Sequence, residues 1–484
     1  MIKFIAKLHP EISIKSRSVR QRFTKILESN IKNVLRRRDP KAWVQKQWDC
    51  IDVRVSEGLE NEAIELLKCV PGVHGFSKVL QSDFVSFEKT FEIVHQLYAS
   101  KLENKTFSVR VKRRGKHDFT SKDVEQYVGG GLNQTIASAK VDLKKPELEI
   151  KLEIANDQLF IISDQFKGLG GFPIATQDEV LSLISGGFDS GVASYLTMRR
   201  GIKTHFVFFN LGGSAHEVGV QQVAYYLWDK FGASHRVKFV SVDFQPVVAE
   251  ILENIDSGLM GVVLKRMMLR AAEKVAKRLR ISGLVTGEAL GQVSSQTLAN
   301  LALIDKVTDH LVVRPLVAMD KQDIIDIARQ IGTEDFARTM PEYCGVISQR
   351  PNIAAPEDKV LANEAQFYMQ MIDDVVEQAK LYDIKELAQA GRDQLEEVES
   401  LDAVGPNQVI IDVRSSEEEE QSPLEIASAE VIHIPFFKLS TRFGELDPAK
   451  EYLLYCEKGV MSKLQALHLK EQGHVNVKLF QPVK

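Results

Sequence analysis

Residues 181–196 read LSLISGGFDSGVASYL. The segment up to Ile184 is an apolar run of strand length. It enters a turn through Ser185, Gly186, Gly187, Phe188, Asp189 and Ser190, then leaves on helix-like spacing. Two glycines let the backbone turn tightly and bring N–H groups up to an anion. Serine hydroxyls and the start of a helix add donors and a favourable dipole. The chain contains no G-x-x-x-x-G-K-[ST], so this is not a Walker-type cradle for β- and γ-phosphates.

The surroundings decide the fold. Between residues 175 and 335 the apolar strands VLSLIS, THFVFFN, RVKFVSV and GLVTGE alternate with helical stretches, which is the order of a doubly wound parallel sheet. Ligands of such sheets collect at the carboxyl ends of the strands. Lys265, opening KRMMLRAAEKVAKRL, can reach a phosphate there. Gly287 in VTGEALGQVSSQT closes another strand, with Gln296 just beyond it, and Lys321 in AMDKQDII stands at a helix start where it can neutralise building charge. Asp189 is a candidate for holding Mg²⁺, directly or through water.

Before this block, residues 1–60 combine the strand IKFIAKLH, a basic helix over Ser18–Arg36 and the strand DCIDVRVS. Residues 61–165 begin with the helix NEAIELLKCV and the turn PGVHG. The strand TFSVRVKRR, the helix SKDVEQYVGGGLNQTI and one alternating strand LEIKLEIANDQLFII follow, an α+β mixture. The doubly wound block is expected to span 175–395. Residues 355–403 are read as helical and acidic, ending in the linker-like ESLDAVGPNQ, and a small α/β unit fills 404–484.

The net charge of −4 conceals an asymmetry: residues 1–150 hold 28 Lys and Arg against 19 Asp and Glu, and the rest is acidic. The cations crowd at Arg17, Arg20 and their neighbours, at Arg36–Arg38, and in RVKRRGK, where Arg110, Lys112, Arg113, Arg114 and Lys116 lie together. Such clusters fit a phosphate backbone, since each contact releases counterions. No apolar run approaches the roughly 20 residues that span a bilayer, and the N-terminus lacks a signal-peptide core. A cytoplasmic protein with no membrane partner is expected. Cys50, Cys69, Cys344 and Cys456 form no C-x-x-C, so no structural metal site is expected.

SGGFDS resembles the PP-loop, S-G-G-x-D-S, of the N-type ATP pyrophosphatases, which cleave ATP between the α- and β-phosphates and adenylate a substrate oxygen. The resemblance implies ATP binding by Leu183, Ile184, Ser185, Gly186, Gly187, Asp189, Ser190, Lys265, Gly287 and Gln296, with Asp189 and Lys321 as catalytic residues. VIIDVRSSEE, VIHIP and the loop Cys456–Ser462 resemble a rhodanese domain, whose cysteine carries sulfur as a persulfide. Position 462 is serine where a C-x₅-R phosphatase loop would have arginine, and a persulfide carrier is preferred. Cys344, in TMPEYCGVISQRP, then becomes the candidate resolving thiol that closes a disulfide with Cys456.

The 61–165 block resembles a THUMP RNA-binding domain, preceded by a ferredoxin-like domain over 1–60. With a PP-loop domain and a C-terminal rhodanese, the order is similar to that of the tRNA 4-thiouridine synthase (thiamine-biosynthesis sulfurtransferase) family. That resemblance implies ATP-dependent transfer of persulfide sulfur to the uridine at position eight of tRNA through an adenylated uridine. It also implies a cysteine desulfurase as donor, a thioredoxin-like reductant, and sulfur donation to a small carrier protein for thiamine thiazole synthesis. Two alternatives are another PP-loop adenylating enzyme (a different tRNA thiolation or an amide-forming ligase) and a catalytically inactive tRNA-binding protein.

Overall fold

The computed structural model describes residues 1–47, 50–211, 213–340, 351–387, 399–414, 419, 423–424, 426, 429–434, 439, 442–456 and 460–481. The chain divides into two compact units. One is Met1–Thr176 with Arg199–Gly201 and Ala233–His235; the other holds Gln177–Met198, Ile202–Gly232 and Arg236–Lys484.

The first unit is built on one eight-stranded sheet. Its strands are β1 (Ile2–Leu8), β2 (Trp43–Lys46), β3 (Cys50–Val55), β4 (Val73–Asp83), β5 (Thr106–Arg114), β6 (Lys140–Val141), β7 (Leu148–Ala155) and β8 (Gln158–Lys167), in spatial order β2-β3-β1-β4-β8-β7-β5-β6. Period-two alternation puts Phe4, Ala6 and Leu8 of β1 and Ile51, Val53 and Val55 of β3 under the helix Arg17–Arg36. That helix buries Phe23, Leu27 and Ile31 at i, i+4 spacing. A second core lies around Val109, Val124, Val128, Ile150 and Leu152. Its helix Ser121–Thr135 starts on a capping box in which the Thr120 hydroxyl accepts from the Asp123 N–H and Asp123 accepts from the Thr120 N–H.

Two local readings change here. LEIKLEIANDQLFII is not one strand but the hairpin β7–β8, turning at Asn156 with φ +51°, a left-handed conformation that asparagine tolerates. Only the start of PGVHG is a turn: from Val73 the chain is already β4, which joins β1 to β8. A bulge between Lys78 and Val79 breaks its alternation, so the period-two signal fails just where the strand is longest.

In the second unit β9 (Glu179–Leu183), β10 (Lys203–Asn210), β11 (Lys238–Asp243), β12 (Gly283–Val285) and β13 (Leu311–Val313) are parallel in the order β13-β12-β9-β10-β11. β9 lies between β12 and β10, so the strand order switches direction at its carboxyl end. The expected all-helical stretch after 355 contains an edge strand, β14 (Lys380–Asp383), antiparallel to β11. Its signal is only four residues long, and its pairing sets Tyr382 opposite Phe239, ring centroids 6.4 Å apart. A further all-parallel sheet, β15-β19-β18-β16-β17, comprises β15 (Ser400–Leu401), β16 (Gln408–Asp412), β17 (Glu430–His433), β18 (Glu451–Tyr455) and β19 (Val477–Phe480). Among the described residues no helix is long and apolar enough to cross a membrane.

Candidate functional site

The β9 backbone continues past Leu183, with the Ile184 N–H donating to Val207, and then releases into the Gly-rich turn. Ser190, in the first turn of the helix Phe188–Arg199, holds that turn closed. Its Oγ accepts from the Ser185 N–H at 3.1 Å and lies 3.1 Å from Ser185 Oγ. Gly186 adopts φ +81°, and a Cβ there would meet Met340 at 2.9 Å. Gly287, just beyond β12, packs on the loop itself: a Cβ would fall 2.6 Å from the Asp189 carbonyl carbon and 2.7 Å from the Ser190 nitrogen. Only glycine lets these two strand ends approach so closely.

Charges surround this turn. Lys321, at the start of the helix Lys321–Ile331, reaches both oxygens of Asp189, at 2.8 and 3.0 Å. On the other side of Gly287, Lys265 Nζ lies 2.8 Å from Glu288, and the Arg314 Nε lies 2.8 Å from its second oxygen. Arg314 continues into Asp305, and the Thr286 hydroxyl donates to Glu288 at 3.0 Å. Burial alone would raise the Glu288 carboxyl; Lys265 and Arg314 outweigh it and hold the pKa below the ordinary value. Arg266, next to Lys265, turns instead into Glu364 and the Leu303 carbonyl. This leaves Lys265 alone of the two facing the strand ends.

His216, in the helix Gly213–Leu227, sets Nε2 3.4 Å from the Ser185 carbonyl and its ring edge-on to Phe208. Burial pushes its pKa down to about 4, so it is neutral at physiological pH. Further along the β12 loop, Gln296 Oε1 and Gln292 Nε2 are buried and, among the described residues, have no hydrogen-bond partner. A nucleoside offering both donors and acceptors fits that need.

The structure thus gathers Ser185–Ser190, Lys321, Gly287 and Lys265 around one strand-end cluster, and sets Gln296 in the same β12 loop. Sequence reasoning missed Glu288, Arg314 and His216. The Glu in VTGE was visible, but nothing local marked it as the partner of two cations from distant elements.

The second centre begins where β18 ends. Cys456 is 8% exposed, and the Ser462 N–H donates to its Sγ at 3.2 Å from within the helix Val460–Glu471. On the neighbouring strand Asp412 and Arg414 form a buried pair with contacts of 2.6 to 3.1 Å, and the Arg414 guanidinium lies 5.2 Å from the Tyr455 ring centre. The helix Val460–Glu471 also packs on the helix Gly213–Leu227, which carries His216. Cys344 and Pro435 lie outside the described residues.

In the first unit the cations of β5 and of the turn after it separate into two kinds. Arg110 and Arg114 pair with Glu149 and Glu153 on β7, and Arg113 donates to the His117 carbonyl. Lys112 and Lys116 are exposed. Arg17 and Arg20 lie in the first turn of the helix Arg17–Arg36.

Comparison with known proteins agrees with this architecture. Family models match for the ThiI ferredoxin-like domain over residues 3–77, the THUMP domain over 84–164, the thiamine biosynthesis protein (ThiI) over 175–369 and the rhodanese-like domain over 394–481. A tRNA sulfurtransferase of Colwellia psychrerythraea is 58% identical over 99% of this chain and all of its own length. One from Escherichia coli is 57% identical over 99% of this chain and all of its own. Among solved structures, a 4-thiouridine synthetase in complex with RNA and ATP superposes with a TM-score of 0.71. It is 24% identical and covers 79% of this chain and 99% of its own.

The class is therefore that of sulfur-transferring enzymes assembled from ferredoxin-like, THUMP, PP-loop and rhodanese modules. Within it, the chain belongs to the tRNA sulfurtransferase (ThiI) family, in its long form with a rhodanese, and is a tRNA sulfurtransferase.

Proposed function

We propose that this enzyme thiolates the uridine at position eight of tRNA to 4-thiouridine, using ATP and a persulfide carried on Cys456. The observation that supports this most strongly is the convergence of Asp189, Lys321 and Gly287 on one turn at the strand-order switch. Uridine O4 attacks the α-phosphorus of ATP, pyrophosphate leaves, and the N3 proton is released. Ser185–Ser190 cradle the phosphates, Lys321 and Lys265 offset their charge, and Gln296 meets a polar edge of the nucleoside. Asp189, with a side chain 25% exposed, is the carboxylate that fits Mg²⁺, which when bound supplies further charge neutralisation.

Cys456 takes its outer sulfur from a cysteine desulfurase. That sulfur attacks C4 and AMP leaves; Cys344 then attacks the Cys456 sulfur, releasing the thiolated base and leaving a Cys344–Cys456 disulfide. In the variant order, Cys344 attacks first and frees sulfide, which displaces AMP. Either way two thiols are oxidised as the sulfane sulfur is reduced, and a thioredoxin-like reductant restores them in the cytoplasm. The segments 1–60 and 61–165 grip tRNA through Arg17, Arg20, Lys112, Lys116 and their neighbours. The same persulfide supplies a small carrier protein for thiazole synthesis.

The test supplies unmodified tRNA, ATP-Mg, a cysteine desulfurase and sulfur-labelled cysteine. Label is expected in 4-thiouridine, and none with Cys456→Ala or Asp189→Ala. Label held on Cys456 that never reaches tRNA would overturn the mechanism.

A further inference from the structure

Besides its backbone contact to Cys456, Ser462 places its side chain on the sulfur. Its Oγ lies 3.4 Å from Sγ, and the residue is 1% exposed. We propose that Ser462 is a catalytic residue of the sulfur centre, its hydroxyl donating to the Cys456 sulfur when that sulfur is a thiolate or the inner atom of a persulfide. This rests on the reading of Cys456 as the sulfur carrier.

Among the described residues, the surroundings of the sulfur favour such a donor. Cys456 packs among Val413, Ile434, Leu454 and Ala466, an apolar setting that by itself disfavours an anion. The cation on the adjoining strand, Arg414, is already committed to Asp412. Stabilisation must then come from donors aimed at the atom, and Ser462 supplies two, one from the main chain and one from the side chain.

They differ in kind. The N–H can only donate, whereas the hydroxyl rotates: it accepts from the S–H of the resting thiol and donates to the sulfur once the proton has left. One contact therefore serves both protonation states without rearrangement. A serine here also differs from the arginine of a C-x₅-R loop. A neutral donor stabilises the anion without cancelling its charge, and the sulfur stays nucleophilic.

Among the described residues, the charged and titratable groups on this helix and on the elements packed against it include Lys463 and Lys470, the Glu451–Lys478 pair, Tyr452 and Tyr455, and His216, Glu217, Tyr225 and Tyr226 on the helix Gly213–Leu227; the Asp412–Arg414 pair and His433 lie beside them. All are unchanged by substitution at Ser462, so a difference between variants reports the hydroxyl.

The experiment measures the rate at which iodoacetamide alkylates Cys456 in the full chain as a function of pH, followed on the Cys456 peptide by mass spectrometry. Ser462→Thr and Ser462→Val are nearly isosteric and differ in the hydroxyl. Ser462→Val is expected to move the alkylation profile up by about one pH unit, roughly a tenfold loss of rate at neutral pH, with Ser462→Thr close to wild type. Persulfide loaded by a cysteine desulfurase and labelled cysteine should also decay several-fold faster in the valine variant. Identical profiles and lifetimes for Thr and Val would overturn the proposal. If wild type takes up no sulfur at all, the carrier reading fails on that ground, while the alkylation profiles still decide whether Ser462 acts on the thiolate.

Discussion

The two centres of the second unit handle charge in opposite ways. Around the PP-loop, ionised side chains are stacked against one another: Lys321 on Asp189, and Lys265, Glu288, Arg314 and Asp305 in an alternating chain. Around Cys456, Arg414 on the neighbouring strand is paired with Asp412, and the contacts described to the sulfur come from a serine. The contrast follows the chemistry. A triphosphate and its leaving pyrophosphate bring several negative charges, which call for full cations beside the dipoles of the loop. A sulfur nucleophile must keep its single charge reactive, and dipoles suffice.

If that division is real, the centres are separable, and the largest effect should fall on one alone. Lys321→Ala removes a cation from the phosphate side. The expected outcome is a fall in ATP-dependent thiolation of roughly 10²–10³-fold, seen in kcat. Loading of Cys456 by a desulfurase, followed with labelled cysteine, should stay at the wild-type level. A parallel loss of loading would break the comparison.

An intermediate effect probes the alternating chain. Glu288→Gln leaves Lys265 and Arg314 with an uncharged partner in a site where Glu288 is 8% exposed. A destabilisation of about 3 kcal/mol in urea unfolding is expected, with a raised KM for ATP as Lys265 loses its tether. The pH dependence has a definite sign. The carboxyl of Glu288 lies below its ordinary value in the fold, so its contribution is complete above the unfolded value near 4.5 and is lost as pH falls through the folded one. The Gln variant should therefore show a flatter acid limb than wild type; an unchanged limb would mean that the cluster is not coupled to folding.

What the sequence disclosed follows the same contrast between local and assembled features. SGGFDS was legible because a tight anion-binding turn demands glycines and hydroxyls at adjacent positions; Lys321 alone reads as a surface lysine and stood out only through its recurrence with Lys265 and Gly287 at predicted strand ends. Glu288 was not legible, since its meaning depends on cations 23 positions before it and 26 after it. β4 was hidden by its bulge, and β14 by its length. Ser462 was noticed only as the absence of an arginine. Its function as a donor depends on how the turn of the helix returns it to Cys456.

The smallest effect lies in the first unit, where a similar distinction between paired and unpaired charge applies to the RNA contacts. Lys112 is exposed on β5, whereas Arg114 is 3.1 Å from Glu153. A cation already matched by a carboxylate adds little to the field that a phosphate backbone meets, and it releases few counterions on binding. Lys112→Ala should weaken tRNA binding a few-fold and reduce the slope of log affinity against log salt by about one. The double change Arg114→Ala with Glu153→Ala removes a neutral pair and should leave both quantities nearly unchanged in a filter-binding titration across salt. Should the double variant lose as much as Lys112→Ala, RNA must open the Arg114–Glu153 pair on binding. The charge pattern of the free protein would then understate its RNA-binding surface.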